Sequence, residues 1–248
     1  MADAWEVFPA QMGEHRAFIS FNSTFAEVAE QDPRTSLLRV RVEFKQHTHE
    51  GMPGEDEFQE LRKVEDLLAT AVEAGGGVQV GRLTVRGHRH FYFCVAFAEE
   101  KAQGIVDAVG PQVAYELAYA YQQDPEKEGY WKYLYPTADD WQVIRDTRVL
   151  DVLTEKGDIS SVSRNVAHWA YFAKGESAEQ FADWAKECAY VVNSIALTDD
   201  NKTVVRFAHK GTMELEDITH HTIAINRKVR EFGGDYDGWE TTIERGTS

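Results

Sequence analysis

Two His-x-His pairs have the residue types and the spacing that metal chemistry requires. His47 and His49 follow one predicted strand, and His88 and His90 begin another. Alternate residues of a strand share a face, so each pair could present two imidazoles to one ion, with nearby carboxylates completing the shell. A metal-dependent hydrolase with its site in the N-terminal domain is therefore the alternative function for this chain.

Other features of the sequence favour a protein without catalysis. Neither pair has the i, i+4 spacing of helical zinc sites, and histidines are common at exposed strand ends. The sequence contains no recognisable nucleophile elbow, and no Gly-x-Gly-x-x-Gly or phosphate loop follows a strand. We therefore expect a non-enzymatic protein without a cofactor, in which both His-x-His pairs lie on a solvated surface.

Aromatic residues in the last third of the chain are the candidate binding residues. Gly233-Gly234 can end a helix, and Asp237-Gly238 predicts a turn or bulge before a strand that carries Trp239. This Trp needs burial and a partner for its indole N–H. On a sheet with helices on one face only, aromatic side chains of the open face could dock a partner, with core packing as the alternative. The candidates are Trp169, Tyr171, Tyr236, Asp237 and Trp239.

The net charge of −16 restricts the partners of this protein. Residues 1–141 contain 24 acidic and 13 basic side chains, so most of the negative charge lies in the N-terminal part. An acidic surface repels a phosphate backbone and attracts basic proteins. We therefore expect a protein partner and no direct binding of nucleic acid, with solubility as the alternative role of the charge.

The sequence predicts a cytoplasmic protein that does not enter a membrane. No apolar run approaches the roughly 20 residues of a membrane-spanning helix, and the first residues lack the features of a signal peptide. Cys94 lies in an apolar strand and Cys188 on a helix face, so we expect both thiols to be buried and reduced.

The first part of the chain predicts a mainly antiparallel sheet with helices. Residues 37–45 alternate apolar and charged side chains, which indicates a strand with one wet face. The hydrophobic run 91–97 indicates a central strand. Between these strands lies a helix whose apolar residues are three or four positions apart. Its predicted buried stripe is Phe58, Leu61, Val64, Leu68 and Val72.

The last part of the chain predicts the order strand, helix, strand, strand, helix, strand. This order is that of the ferredoxin-like fold, with two helices on one face of a four-stranded antiparallel sheet. The first of these helices is predicted to begin at a capping box that runs from Ser177 to Gln180. The buried stripe of that helix is predicted to be Phe181, Trp184, Ala185 and Cys188.

We therefore predict an α+β protein with two domains, each a mainly antiparallel sheet with helices packed on it. The expected divisions are an α+β domain at 1–140, a partly helical linker at 141–160 and a ferredoxin-like domain at 161–248.

Both domains resemble known bacterial families. The C-terminal domain resembles the family named regulator of ribonuclease E activity B (RraB), in its aromatic first strand and in the motif Tyr236-Asp237-Gly238-Trp239 after a helix that ends in glycine. The N-terminal domain resembles a family of unknown function that is often fused ahead of this module. The residues that carry the second resemblance are Trp5, Phe91-Tyr92-Phe93 and Leu134-Tyr135-Pro136-Thr137.

The first resemblance implies a regulator that binds ribonuclease E, or another component of RNA decay, and lowers its activity without chemistry of its own. No catalytic residues carry over from that family. This chain departs from the strongly acidic type of RraB protein, because here most of the negative charge lies outside the C-terminal domain. If acidity drives docking onto a basic ribonuclease segment, the C-terminal domain of this chain has less of that charge.

Overall fold

A computed structural model describes residues 4–245 of the chain, which divides into two compact units at 1–136 and 137–248. Each unit has one antiparallel sheet with helices packed on it, so the predicted α+β class is confirmed. Within the described residues, no helix combines the length and the apolar character needed to span a bilayer.

The N-terminal unit is built on a six-stranded sheet in the order β1-β2-β4-β5-β3-β6. All neighbouring strands in this sheet are antiparallel. The elements are β1 (Trp5–Met12), β2 (His15–Asn22), β3 (Ser36–Glu43), α1 (Glu57–Ala74), β4 (Val78–Val85), β5 (His88–Val95), α2 (Glu99–Val109), β6 (Leu117–Gln123) and the short α3 (Glu128–Trp131).

One face of this sheet is covered by α1 and α2. The apolar residues of β3 alternate with charged ones, and Leu38, Val40 and Val42 are fully buried beneath the helices. Most of the predicted stripe of α1 is buried with them, from Leu61 to Val72. Phe58 is an exception and is half exposed, because it lies in the first turn of α1 at the mouth of a cleft instead of over the core.

The chain that follows β6 covers part of the other face of the sheet, over β2 and β4. Tyr130 is fully buried, and its hydroxyl donates to the carbonyl oxygen of Asn22 at 2.7 Å. The ring of Tyr130 packs edge-on against Phe25, with centroids 5.0 Å apart. Cys94 is buried on β5, as predicted, and burial raises the pKa of its thiol to about 12.

The C-terminal unit begins with a helix and continues as a ferredoxin-like domain. Its four-stranded sheet has the order β10-β7-β9-β8. Helix α4 occupies most of the segment 141–160, which the sequence predicted as a partly helical linker, and it packs along α6. The elements are α4 (Ala138–Glu155), β7 (Arg164–Phe172), α5 (Gly175–Glu187), β8 (Val191–Leu197), β9 (Thr203–Gly211), α6 (Leu215–Glu231) and β10 (Gly234–Thr241).

Two predictions about α5 are wrong. The helix begins at Gly175 after Lys174, so Ser177 lies within the first turn and is not the capping residue. Cys188 is exposed and not part of the core, because it is the residue at which the helix ends, and Ala189 then turns the backbone away with φ of 64°. The buried stripe therefore stops at Ala185.

The predicted end of α6 and the bend in the last strand are confirmed. The helix ends at Glu231, and Gly233 adopts φ of 70°, a left-handed conformation that costs glycine little. The pairing of β10 with β7 shifts by one residue between Tyr236 and Gly238, which is a β-bulge.

A glycine in β4 is required by close packing, and we expect its replacement to destabilise the N-terminal unit. A Cβ at Gly81 would lie 2.6 Å from Leu134 Cδ1 and 2.8 Å from the carbonyl oxygen of Ser20. Gly81→Ala should therefore lower the free energy of unfolding by about 1–3 kcal/mol. Gly104→Ala is the matched control, since a Cβ at this position of exposed α2 meets nothing within 4 Å. This variant should raise the free energy of unfolding by about 0.5–1 kcal/mol, because alanine favours a helix over glycine. Urea unfolding of both variants checks the prediction, and equal effects would contradict it.

Candidate interaction surface

The bulge in β10 places two of the candidate residues on the helix-covered face of the C-terminal sheet. Tyr236 and Trp239 are three positions apart, so a regular strand would direct them to opposite faces. The extra residue at the bulge reverses this, and Tyr236 lies opposite Ala170 while Trp239 lies opposite His168. Both partners are fully buried beneath the helices. Tyr236 is therefore buried in the core, and Trp239 packs partly buried against it on the same side.

Trp239 donates its indole N–H to a buried carboxylate that the sequence analysis missed. Its Nε1 lies 2.8 Å from Oδ1 of Asp146 on α4. The same carboxylate accepts from Gln142 Nε2 at 2.9 Å and from the hydroxyl of Thr222 on α6 at 2.5 Å. Asp146 is fully buried, and burial raises its pKa although the three donors oppose this shift. One side chain thus joins α4, α6 and β10.

A chain of histidines lies in the same core. His168 Nδ1 is 2.7 Å from the hydroxyl of Tyr236, and His168 Nε2 is 2.8 Å from His209 Nδ1. One imidazole of the pair must donate and the other accept, so the two rings cannot both be protonated. The chain ends at the buried Nε2 of His209, which has no hydrogen-bond partner among residues 4–245. The ring of His221 lies 3.8 Å from that of His209 at an angle of 31°. Burial is the largest cause that lowers the pKa of His168 to about 2 and of His209 to about 4.

The open face of the sheet carries the other aromatic candidates. Trp169 and Tyr171 alternate along β7 with the buried His168 and Ala170, so they lie on the side away from α5 and α6, and both are partly exposed. Arg206 of β9 lies opposite Trp169, and Asp235 of β10 lies opposite Tyr171. Asp237 is exposed at the bulge beside them. The structure thus brings together Trp169, Tyr171 and Asp237.

The two edges of this sheet differ in character. Within the described residues β10 pairs only with β7, and its exposed acidic residues are Asp235, Asp237 and Glu240. β8 pairs only with β9 and has no charged residue, while Val191 is 64% exposed and Leu197 is 72% exposed. One edge of the domain is therefore acidic and the other apolar.

The His-x-His pairs of the N-terminal unit do not form a metal cluster with other ligands. Among residues 4–245, no three His, Cys, Asp or Glu side chains are grouped so that they could hold a metal ion. His47 and His49 are exposed, and His47 Nδ1 lies 3.0 Å from the carbonyl oxygen of Thr48. The rings of His88 and His90 are 6.3 Å apart, and burial is the main cause that lowers the pKa of His90 to about 4.

Comparison with known proteins finds a matching family model for each part of the chain. The model of the "Family of unknown function (DUF695)" matches residues 3–135, more than half of the chain. The chain belongs to this family. A second model, "Regulator of ribonuclease activity B", matches residues 144–241. Both resemblances recognised in the sequence are therefore confirmed, and the second match includes Asp146 and most of α4.

Other comparisons add little to these two matches. None of the curated proteins matches this member of DUF695. A solved structure titled "Crystal Structure of an Unknown Protein from Galdieria sulphuraria" is 8% identical, with a TM-score of 0.23. The similarity covers 84% of this chain and 99% of that one.

We expect Asp146 to be required for the stability of the C-terminal unit. Asp146→Ala leaves Gln142, Thr222 and Trp239 without their acceptor, so the free energy of unfolding of this unit should fall by about 3 kcal/mol or more. Asp151→Ala removes an exposed carboxylate from the same helix and should change stability by less than about 0.5 kcal/mol. Chemical unfolding of both variants, monitored by hydrogen exchange of β10, tests this prediction. Similar losses in both variants would contradict it.

We also expect the histidine chain to make the C-terminal unit sensitive to acid. In the unfolded chain these histidines have a pKa of about 6.5, whereas their folded values are depressed. The free energy of unfolding that these neutral histidines contribute is therefore complete above pH 6.5. It is lost as the pH falls toward 4, because only the unfolded state then binds protons. The measurement is hydrogen exchange of β7 and β9 between pH 7 and 4.5.

Two variants provide the comparison for this pH dependence. His209→Gln should flatten the loss of protection with falling pH, by up to about 1.4 kcal/mol per pH unit for one histidine. His220→Gln removes an exposed histidine of α6 and should leave the dependence as it is in the unmodified protein. An unchanged slope in His209→Gln would show that other groups cause the acid sensitivity.

Proposed function

We propose that this protein is a non-enzymatic regulator that binds a ribonuclease of the E type, or another component of RNA decay, and lowers its activity. The observation that carries the proposal is the match of residues 144–241 to the regulator of ribonuclease activity B. The ferredoxin-like order of the strands agrees with that match. A cytoplasmic location, which the sequence predicts, is part of this proposal.

The geometry of the C-terminal unit favours binding over catalysis. Its buried titratable groups with a shifted pKa are enclosed by packing. Asp146 accepts three hydrogen bonds, and both ring nitrogens of His168 have partners. Perturbed groups at a catalytic site would instead face a cleft where a substrate could reach them. We therefore interpret Asp146 and His168 as structural.

The proposed docking surface combines the open face with the acidic edge. Trp169 and Tyr171 supply partly exposed aromatic area, and Asp235 and Asp237 flank them. Aromatic residues are enriched where proteins bind each other, and acidic side chains at the rim attract a basic partner and speed its approach. A basic segment of the ribonuclease is the partner that fits this surface, as the net charge of −16 also favours.

The test is binding of the full-length protein to purified ribonuclease E, followed by cleavage of a single-stranded RNA substrate. We expect a complex that weakens as salt is raised, and slower cleavage when the regulator is in excess. The double variant Asp235→Lys/Asp237→Lys should weaken binding roughly tenfold or more, because it replaces attraction by repulsion at the proposed edge.

A matched charge reversal on α5 separates this surface from a general effect of charge. Glu179→Lys/Glu187→Lys changes the net charge equally on exposed positions of the helix-covered side, and we expect near-normal affinity. If both double variants bind ribonuclease E equally weakly, the proposed docking surface is wrong. Absence of any complex between the unmodified protein and ribonuclease E would remove that partner, and a wider search for RNA-decay components would then be needed.

A further inference from the structure

The N-terminal sheet is wider than the two helices that cover it, and the uncovered part forms a cleft. The sheet has six strands, while α1 packs chiefly on β4 and β5 and α2 packs on β6. Over β1 and β2 the same face is left open, and it encloses a cavity of about 370 Å³. This volume is in the range of binding sites for small molecules.

The floor of this cleft is made by side chains from four neighbouring strands. Residues opposite each other in antiparallel strands share a face, so two rows of three residues cross β1, β2, β4 and β5. The rows combine apolar side chains, hydroxyl groups and two guanidinium groups. They are Val7, Ser20 and Arg82, and Phe18, Thr84 and Arg89.

Arg89 is a buried cation, and no carboxylate of the described residues lies within ion-pair distance of it. The residue is 7% exposed, and the only hydrogen bond of its side chain within the described chain runs from Nε to Thr84 Oγ1 at 3.1 Å. Buried charged groups are normally paired, because burial of an isolated charge is unfavourable. Burial and the nearby Arg82 lower the pKa of Arg89 to about 10 although Glu65 opposes this shift, and Arg89 stays protonated at neutral pH.

The second guanidinium in the cleft is already neutralised. Arg82 Nη1 lies 2.6 Å from Oε2 of Glu65, and the other oxygen of this carboxylate accepts from Gln79 at 2.7 Å. Among the residues that line the cleft, Arg82 is therefore paired with Glu65, and Arg89 leaves a single positive charge. A monoanion would balance this charge, whereas a phosphate dianion would exceed it.

The walls of the cleft are apolar and partly open to solvent. Met52 and Pro53 of the loop before α1 line it, and Val7 and Phe58 lie half exposed at its mouth, at 52% and 51%. A bound molecule would therefore contact aliphatic and aromatic surface over most of its length. An apolar pocket with few polar groups in fixed positions is typical of a small-molecule site.

We propose that this cleft binds a small monocarboxylate with an apolar body, whose carboxylate pairs with Arg89 while the body lies against Phe18, Met52 and Phe58. Neither family description assigns a ligand or a site to this region. The proposal concerns the N-terminal unit alone and does not depend on the ribonuclease proposal.

Calorimetric titration of the full-length protein with matched probes tests the class of ligand. The probes are hexanoate, octanoate and decanoate, the neutral octanamide, and octyl phosphate. We expect at least one carboxylate to bind, with octanamide and octyl phosphate roughly tenfold weaker or more than the carboxylate of equal length. Failure of all three carboxylates to bind, equal binding of octanamide, or tighter binding of octyl phosphate would each overturn the proposal.

Substitutions locate the binding in the cleft. Arg89→Met keeps an apolar side chain of similar length and should weaken octanoate roughly tenfold or more. It should not lower the melting temperature of the free protein, because it removes an unpaired buried charge. Arg41→Met is the matched control, since Arg41 is exposed and lies on the opposite face of the sheet next to Val40 and Val42, and it should bind normally.

A second substitution keeps the proposal testable if Arg89→Met does not fold. Phe58→Asp changes a half-exposed residue at the mouth, so the fold should survive, and it places a negative charge in the path of the ligand. Octanoate should then bind at least about tenfold more weakly, with octanamide less affected. Unchanged binding of octanoate in Phe58→Asp would exclude this cleft as the site.

Discussion

The C-terminal unit depends on one buried carboxylate. Asp146 accepts from Gln142 within its own helix, from Thr222 on α6 and from Trp239 on β10, so it joins a helix that precedes the ferredoxin-like core to both a helix and a strand of that core. A buried carboxylate is unfavourable unless its oxygens are satisfied, and here three donors satisfy them. This explains why α4 belongs structurally with the domain that follows it.

The sequence predicted those features that depend on local patterns. Alternation along β3, the spacing in α1, the glycines after α6 and the Asp237-Gly238 bend each involve residues close together in the chain. The role of Asp146 could not be predicted in this way, because its partners are 76 and 93 residues away. The polar composition of residues 141–160 is typical of a linker. Only the folded structure shows that some of these polar side chains, such as Asp146, are buried.

The directions of the candidate binding side chains were also only partly predictable from the sequence. The alternation along β7 separates Trp169 and Tyr171 from His168, and this much is visible in the sequence. The bend was expected, but a turn and a bulge have different effects on side-chain direction. Only the observed register shows that an extra residue directs Trp239 toward α4 instead of toward the open face. The local fold was therefore more predictable than the composition of the surface.

The contrast between the two edge strands also limits how copies of the domain can assemble. A second copy could pair through the uncharged β8, since its backbone groups and apolar side chains are accessible. Such a pair would form an eight-stranded sheet with a β10 at each end. The acidic β10 of one pair and that of another pair would repel each other. Sheet extension would thus end with the dimer, which protects an otherwise exposed edge from open-ended fibre growth.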